Sequence, residues 1–136
     1  MLGNKLGEEH GKVTSRRILP GEDYRYVKME ISFESQGHFF GVDTTHMGTF
    51  TAFERIPGQI YGEGNGIWMT ADGEGAIWNG HGIGTAMPDG SIKFAASLCF
   101  QSGEGKLAPL SKCLILIEQT TAADGTVSSV AYEWKA

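Results

Sequence analysis

The feature of this sequence that most constrains its fold is a glycine-rich stretch, residues 59–84, in which glycine occupies alternate positions on both sides of an Asp72-Gly73 pair. Asp-Gly between two alternating runs is a strong signal for a β-hairpin, because such turns need residues that adopt positive φ. With Asp72 and Gly73 as the two loop residues, Gly66 faces Asn79 across the hairpin. In this register the glycines of the two arms lie on opposite faces of the sheet.

Glycine inside a strand costs conformational entropy and packing, so this many glycines need a structural reason. A strongly bent sheet, as in a small closed barrel, or the close approach of a side chain or ligand supplies one. A phosphate-binding loop is the competing interpretation, and it requires a helix directly after the glycines. No helical period follows Gly84, and the stretch contains no Gly-Lys-Ser/Thr. The glycines therefore indicate a bent β-sheet.

The remainder of the chain has the pattern of further hairpins with short turns, including Asp89-Gly90 and Asp124-Gly125. Period-2 alternation of apolar and polar residues between such turns is typical of half-buried antiparallel strands. Besides the two arms of the central hairpin, strands are expected over residues 12–19, 23–34, 38–55, 91–102, 106–119 and 126–135.

About eight sequential strands and no convincing helix predict an all-β fold, an eight-stranded antiparallel up-and-down β-barrel, because closure removes the exposed edges of a sheet. A β-sandwich is the alternative. We expect one domain, residues 12–136, preceded by a flexible polar lead over residues 1–11. The interior of a barrel of this size is either filled by side chains or wide enough for one small ligand.

Composition argues against several classes of function. The formal net charge is −5 and the one adjacent basic pair is Arg16-Arg17, which argues against nucleic acid as a partner. The longest apolar run, residues 113–117, is too short for a membrane span. The first residues lack the apolar stretch of a signal peptide, so a cytoplasmic location is expected. There Cys99 and Cys113 are expected as two reduced thiols, with a disulfide as the alternative.

The segments FTAFERIPGQIYGEGNGI, DGEGAIW and GHGIG, followed by the hairpin at Asp89-Gly90, carry a resemblance to known proteins. From residue 37 to residue 136 the chain resembles the calycin-like small barrels, in particular the allene-oxide-cyclase-like barrels and their uncharacterised bacterial relatives. The resemblance implies a small apolar cavity inside the barrel. It assigns no catalytic residue, because no catalytic motif matches residue by residue.

The hairpin after residue 84 indicates which face lines the interior. Read with a two-residue loop, it places His81 opposite Leu98 and Asn79 opposite Phe100. The more apolar face is expected to line the lumen, and the wall around a ligand is then formed by Trp68, Ile77, Ile83, Phe94, Leu98 and Phe100. Asn79 and His81 would lie among these apolar residues, where a polar group needs a partner. We interpret them as ligand contacts; internal hydrogen bonds, a buried water or acid–base chemistry are the alternatives.

Two further candidates for ligand contacts are His46, in the middle of its strand, and Glu63, between Gly62 and Gly64. The alternative for Glu63 is a solvent-facing residue at a bend. No His-x-His, His-Glu-x-x-His or Cys-x-x-Cys spacing occurs, so the sequence predicts no metal and indicates no cofactor. Ser97 has no histidine and acid at recognisable spacing, so a hydrolase triad is not expected and no catalytic residue is assigned.

The run CLILI, residues 113–117, is apolar on both faces, which a homo-oligomer interface or a packed N-terminal segment would explain. The sequence as a whole predicts a barrel that binds a small apolar or amphipathic molecule in its lumen. Two alternatives stay open: an isomerase-like or cyclase-like enzyme that confines a reactive substrate, and a structural or oligomeric module with a filled core.

Overall fold

The structure, a computed structural model, describes residues 2–21 and 27–135. The strands are β1 (Leu2–Leu19), β2 (Lys28–Phe39), β3 (Val42–Ile56), β4 (Gln59–Thr70), β5 (Gly75–Ala86), β6 (Ile92–Phe100), β7 (Leu114–Thr121) and β8 (Thr126–Trp134). Each strand pairs antiparallel with the next, and β8 pairs with β1, which closes the barrel. The expected eight-stranded up-and-down barrel is therefore confirmed. The expected beginning of the second strand, residue 23, lies outside the described residues.

The three Asp-Gly hairpins share one loop geometry. In each of them a glycine at positive φ is the last of three loop residues: Gly73, Gly90 and Gly125. In the first hairpin the backbone N–H of Thr70 donates to the carbonyl of Glu74, which leaves three residues between these ends. A three-residue loop that ends in a left-handed residue is a common hairpin connection.

The third loop residue shifts the pairing by one position from the expected register. Gly66 pairs with Trp78 rather than with Asn79. In the next hairpin Asn79 pairs with Cys99 rather than with Phe100. Because side chains alternate between the two faces of a strand, a shift of one residue exchanges the faces of the partner strand. The side chains of β5 that were expected inside the barrel therefore lie outside it.

The N-terminal segment, residues 2–11, belongs to β1 and is not a lead outside the barrel. It pairs with β8, from Leu2 opposite Trp134 to Lys12 opposite Thr126. The second half of β1 pairs with β2. These β1–β8 pairs close the sheet, so the barrel requires this strand. The polar sequence of the segment lacks the apolar alternation from which a strand would be predicted.

The β2–β3 turn lies later than the gap expected between the strands over residues 23–34 and 38–55. The turn lies at Phe40-Gly41, where both residues have positive φ, and β2 extends to Phe39. A two-residue hairpin loop with positive φ at both positions fits the right-handed twist of its strands.

The strand expected over residues 106–119 begins only at Leu114, because residues 106–112 belong to a 3₁₀ helix, η1 (Gly105–Lys112), between β6 and β7. Pro109 has no backbone N–H and so cannot donate to a sheet ladder. Leu107 and Leu110 are fully buried. The backbone N–H of the residue before η1 donates to the carbonyl of Gly75, which places η1 beside the β4–β5 turn. The helix therefore covers this end of the barrel.

The hydrophobic core fills the half of the barrel next to η1. Large side chains from five strands are buried there: Phe39, Trp68, Trp78, Phe100 and Ile115. The rings of Phe39 and Trp68 stack with centroids 4.6 Å apart. Burial of each large apolar side chain contributes roughly 1.5–3 kcal/mol to the stability of the fold. The opposite half of the barrel is less completely filled.

Candidate functional site

The observed register brings glycines of β4 and β5 together on the inner face of the barrel. Gly62 pairs with Gly82, and Gly64 pairs with Gly80. The two glycine rows were expected on opposite faces, and the three-residue loop between the strands reverses that. These four residues, here called the inward glycines, leave four neighbouring positions of the inner wall without side chains.

The inward glycines form one wall of a cavity of about 60 Å³. The rest of the cavity is lined mainly by aromatic and aliphatic side chains: Phe33, Phe50, Trp78, Phe94, Leu98 and Ile117. Gln119 contributes an amide, and Glu63 and His81 border the cavity beside the glycines. A single water needs about 10–15 Å³ of such space. The cavity therefore has room for a few waters or for a small apolar group.

Trp78 forms the boundary between this cavity and the filled core. Its ring lines the cavity and is only 5% exposed. Two glycines leave room for it: a Cβ at Gly66 would lie 2.6 Å from Cζ2 of Trp78, and one at Gly48 would lie 3.1 Å from the same atom. Strands β3 and β4 thus carry glycine where the indole ring crosses them.

Behind Trp78, two buried polar residues are joined to it by hydrogen bonds. Trp78 Nε1 donates to His46 Nε2 at 2.9 Å, and His46 Nδ1 lies 2.8 Å from Oε2 of Glu9. Glu9 is 2% exposed and His46 is 5% exposed. The carboxylate crosses the inner face of β2 at Gly37, where a Cβ would lie 2.9 Å from Cγ of Glu9. The glycine on β2 therefore permits a contact between β1 and β3.

The hydrogen bonds determine the tautomer of His46. An indole N–H can only donate, so Nε2 of His46 accepts, and its proton lies on Nδ1, which donates to Glu9. Aromatic rings surround the imidazole, with centroid distances of 5.0 Å to Phe33, 5.3 Å to Trp68 and 5.5 Å to Trp78. Both nitrogens of His46 are engaged, so neither is available to a molecule in the cavity.

Five of the residues predicted for the site lie inside the barrel. Phe94 and Leu98 line the cavity. Trp68 and Phe100 belong to the core on the far side of Trp78, and His46 is buried between the two regions. The structure therefore brings two of these side chains to the cavity and places the others behind it.

The other predicted residues lie on the outer face. Asn79 and His81 are exposed, Ile77 and Ile83 are each 48% exposed, and Glu63 on β4 is also exposed. Placement of the four β5 residues in the lumen was wrong, because the hairpin has three loop residues and not two. Glu63 and His81 reach the border of the cavity, and their contact with a ligand stays a prediction.

A row of polar side chains crosses the outer face of β4, β5 and β6. Glu63 pairs with His81, and His81 pairs with Ser97. Within the described residues no hydrogen bond joins these three side chains. Tyr61 Oη instead donates to Oε2 of Glu63 at 3.0 Å, and this bond raises the pKa of Tyr61. The row has the composition of a serine hydrolase triad without its hydrogen bonding.

Sequence reasoning missed two central residues of the site, Glu9 and Trp78. The register of a two-residue loop, which puts His81 inside the barrel, puts its strand neighbour Trp78 on the outer face. The glycine at the end of each Asp-Gly pair is compatible with both loop lengths, so turn composition alone does not decide between them. Glu9 lies in a polar, glycine-containing segment that has no apolar alternation to mark it as a strand.

Cys99 is exposed and Cys113 is half-buried, and both are free thiols. Burial raises the pKa of the Cys113 thiol. In residues 2–21 and 27–135 no group of three or more His, Cys, Asp or Glu side chains is arranged to hold a metal ion. None of the helical segments described has the length and apolarity needed to cross a membrane.

Fold and site together define a small closed antiparallel β-barrel with an apolar, glycine-walled cavity and a buried Glu–His–Trp hydrogen-bond chain. No protein-family model matches the sequence, and no curated protein matches it.

Solved structures do match the fold over nearly the whole chain. A conserved protein of unknown function from Rhodopseudomonas palustris is 16% identical with a TM-score of 0.77, and the match covers 98% of this chain and 97% of that one. A protein with unknown function from Clostridium acetobutylicum is 11% identical with a TM-score of 0.80, covering 97% and 98% of the two chains. A beta-barrel like protein from Acinetobacter baumannii is 11% identical with a TM-score of 0.79, covering 98% and 94%. At these identities the similarity establishes a shared fold.

Proposed function

We propose that the barrel binds a small apolar or amphipathic molecule whose apolar part occupies the cavity above Trp78. The observation that carries this proposal is the cavity beside Gly62. At Gly64, Gly80 and Gly82 a Cβ would meet a backbone carbonyl oxygen of the neighbouring strand, so the bent sheet requires glycine there. Gly62 faces the rings of Phe50 and Phe94, whose centroids lie 5.8 Å apart, and a Cβ there would have its nearest neighbour at 3.5 Å. A barrel that needed only a filled core would place a side chain at Gly62, because protein interiors are close-packed and voids reduce stability.

The lining also limits the chemistry of the molecule. Most of the cavity wall is hydrocarbon, so an apolar body gains from burial. Gln119 supplies a polar side chain on the inner face, whereas Glu63 and His81, whose side chains lie on the outer face, reach only the border of the cavity. The amide Nε2 of Gln119 lies 3.5 Å from Oγ1 of Thr121, a distance at the limit of a hydrogen bond, so this amide can exchange its partner for a ligand. One hydrogen-bonding group on an otherwise apolar molecule fits this arrangement.

An isomerase-like or cyclase-like enzyme is the alternative, and the resemblance to allene-oxide-cyclase-like barrels favours it. An acid–base role would require a titratable group directed at the reacting atoms. His46 is engaged at both nitrogens, and the Ser97, His81 and Glu63 row lies on the outer face without internal hydrogen bonds. Binding without turnover therefore accounts for the geometry better than catalysis does.

The test is native mass spectrometry of the protein purified from its own host, before and after denaturation. We expect a small molecule that leaves on unfolding. The cavity itself is tested with xenon, which enters small apolar cavities and shifts the NMR signals of nearby methyl groups. Xenon is expected to shift the methyl signals of Leu98 and Ile117. A ligand-free mass, together with methyl signals that xenon leaves unchanged, would contradict the proposal.

Two glycine substitutions provide a matched pair of variants. A Cβ at Gly62 has its nearest neighbour, Phe94 Cε1, at 3.5 Å and projects into the cavity. A Cβ at Gly75 also has its nearest neighbour, Ile67 Cδ1, at 3.5 Å, and Gly75 does not line the cavity. Gly62→Ala is expected to reduce ligand retention and the xenon shifts, and Gly75→Ala is expected to preserve both.

A further inference from the structure

The chain of hydrogen bonds from Glu9 through His46 to Trp78 is not explained by stability. A carboxylate and an imidazole that are 2% and 5% exposed lose hydration on burial. Apolar residues of similar volume are often as stable as such a buried pair, or more stable. Among the described residues, Oε1 of Glu9 has no hydrogen-bond partner, which adds to the cost. This unfavourable free energy of burial indicates that the hydrogen bonds from Glu9 through His46 to Trp78 have a role other than stabilisation of the fold.

The direction of these hydrogen bonds shows that they determine the tautomer of His46. Glu9 accepts a hydrogen bond from Nδ1–H of His46, and this bond fixes the tautomer in which Nε2 is the acceptor. Only in that tautomer can Nε2 accept a hydrogen bond from the indole N–H of Trp78. The Glu9 carboxylate on β1 therefore determines whether the indole of Trp78 on β5 can donate its hydrogen bond to His46.

The hydrogen bond to His46 lies beside the edge at which the indole ring packs on glycine. Gly48 on β3 and Gly66 on β4 leave the region around Cζ2 of Trp78 in contact with glycine positions. The atom Cζ2 is next to the edge that carries Nε1. The hydrogen bond to His46 therefore fixes the tilt of a ring whose opposite surface lines the cavity.

We propose that Glu9 and His46 are positioning residues that hold the ring of Trp78 as the floor of the cavity and so set the size and shape of the group the cavity accepts. This inference rests on the proposed function, because it assigns these residues a role in selecting what the cavity accepts. The two residues themselves do not contact the bound molecule. They act through Trp78.

The first measurement uses the wild-type protein. The ¹⁵N NMR signals of the imidazole distinguish the two tautomers, and His46 is expected with its proton on Nδ1. The indole N–H of Trp78 is expected at a hydrogen-bonded position and protected from exchange with solvent. A proton on Nε2 of His46, or an indole N–H that exchanges freely, would overturn the proposal without any variant.

The second measurement compares two variants by the same NMR signals and by thermal unfolding. The double variant Glu9→Leu/His46→Phe removes the chain but keeps apolar volume and an aromatic ring. It is expected to remain folded, to lose the hydrogen-bonded position of the Trp78 indole signal, and to lose the xenon-induced shifts of the Leu98 methyl groups. Ser35→Ala removes a buried hydroxyl that is not part of the hydrogen-bond chain. It is expected to leave the indole signal and the xenon-induced shifts unchanged.

The outcomes separate this inference from the proposed function. Unchanged indole and xenon signals in the double variant would overturn the positioning role and leave ligand binding intact. A ligand-free wild type that shows no xenon shifts would contradict the proposed function, and the indole signal would still report whether the hydrogen-bond chain holds Trp78. If the double variant unfolds, the tautomer and exchange measurements on the wild type decide the positioning role.

Discussion

Substitution of Gly66 by alanine should destabilise the barrel by pushing Trp78 away from His46. The added Cβ would lie 2.6 Å and 2.7 Å from Cζ2 and Cε2 of the indole and 2.5 Å from the carbonyl oxygen of Met47. The carbonyl belongs to a paired strand, so neither it nor the buried ring moves freely. Overpacking of this kind costs about 1–3 kcal/mol. Loss of the hydrogen bond to His46 adds about 0.5–1.5 kcal/mol.

One opposing effect reduces this cost. Replacement of glycine by alanine restricts the unfolded chain, which stabilises the folded state by about 0.4–1 kcal/mol. The net destabilisation is therefore about 2 kcal/mol, and the urea midpoint should fall by about 1 M, since small proteins lose about 1–3 kcal/mol of stability per molar urea. The comparison variants are Gly62→Ala and Gly75→Ala, in which the nearest neighbour of the new Cβ lies at 3.5 Å. Both should match or slightly exceed the wild-type midpoint.

A double-mutant cycle tests the stated cause. In Gly66→Ala/Trp78→Phe the smaller ring lacks the atoms that the new methyl group meets, so the two changes should together cost less than the sum of their separate costs. Equal urea midpoints for Gly66→Ala and Gly75→Ala would refute the reasoning. Additive costs in the cycle would show that the backbone contact with Met47, and not the indole ring, is responsible.

Three further predictions concern the thiols, the turns and the end of the barrel. Iodoacetamide should alkylate exposed Cys99 faster than Cys113, whose thiol pKa is raised by burial; peptide mass spectrometry measures the two rates, and equal rates would contradict this. Hydrogen bonds that Ser91 and Thr126 donate lower the pKa values of Asp89 and Asp124, respectively. Their contribution to stability is present above the unfolded-state pKa of about 3.9 and lost as pH falls through the folded-state values, so urea midpoints should fall less on acidification in the Asp→Asn variants. Leu107→Ala should destabilise the fold by about 2–5 kcal/mol, because this leucine of η1 is fully buried; a urea midpoint within about 0.5 M of wild type would contradict this.

The barrel could be predicted because its evidence is repeated along the chain. Alternating strands and short turns recur from residue 28 onwards, and each of them alone favours antiparallel pairing. The Asp-Gly pairs correctly marked three hairpins. Residues 2–11 were missed as a strand because their pairing depends on β8, which lies at the other end of the chain. Nothing local in that segment favours a strand.

The inner face could not be predicted, because it depends on a single loop residue. The Asp-Gly pair fits a loop of two or three residues, and each choice gives a consistent sheet with opposite faces. The apolar pattern of β5 favoured the wrong choice, since Ile77 and Ile83 lie on its outer face. Trp78 alone among the large side chains of that strand lies inside, where glycines make room for it.

The position of Trp78 divides the barrel into two halves with different sensitivities to substitution. On the η1 side Leu107 and Trp68 are fully buried, and removal of side-chain volume there lowers stability. On the other side lies the cavity, and added volume at Gly62 on its wall is sterically allowed. A side chain that fills this space should preserve or raise stability while it reduces binding. Loss of binding with no loss of stability is the combination that a purely structural barrel cannot produce, so it separates the binding proposal from a filled-core module.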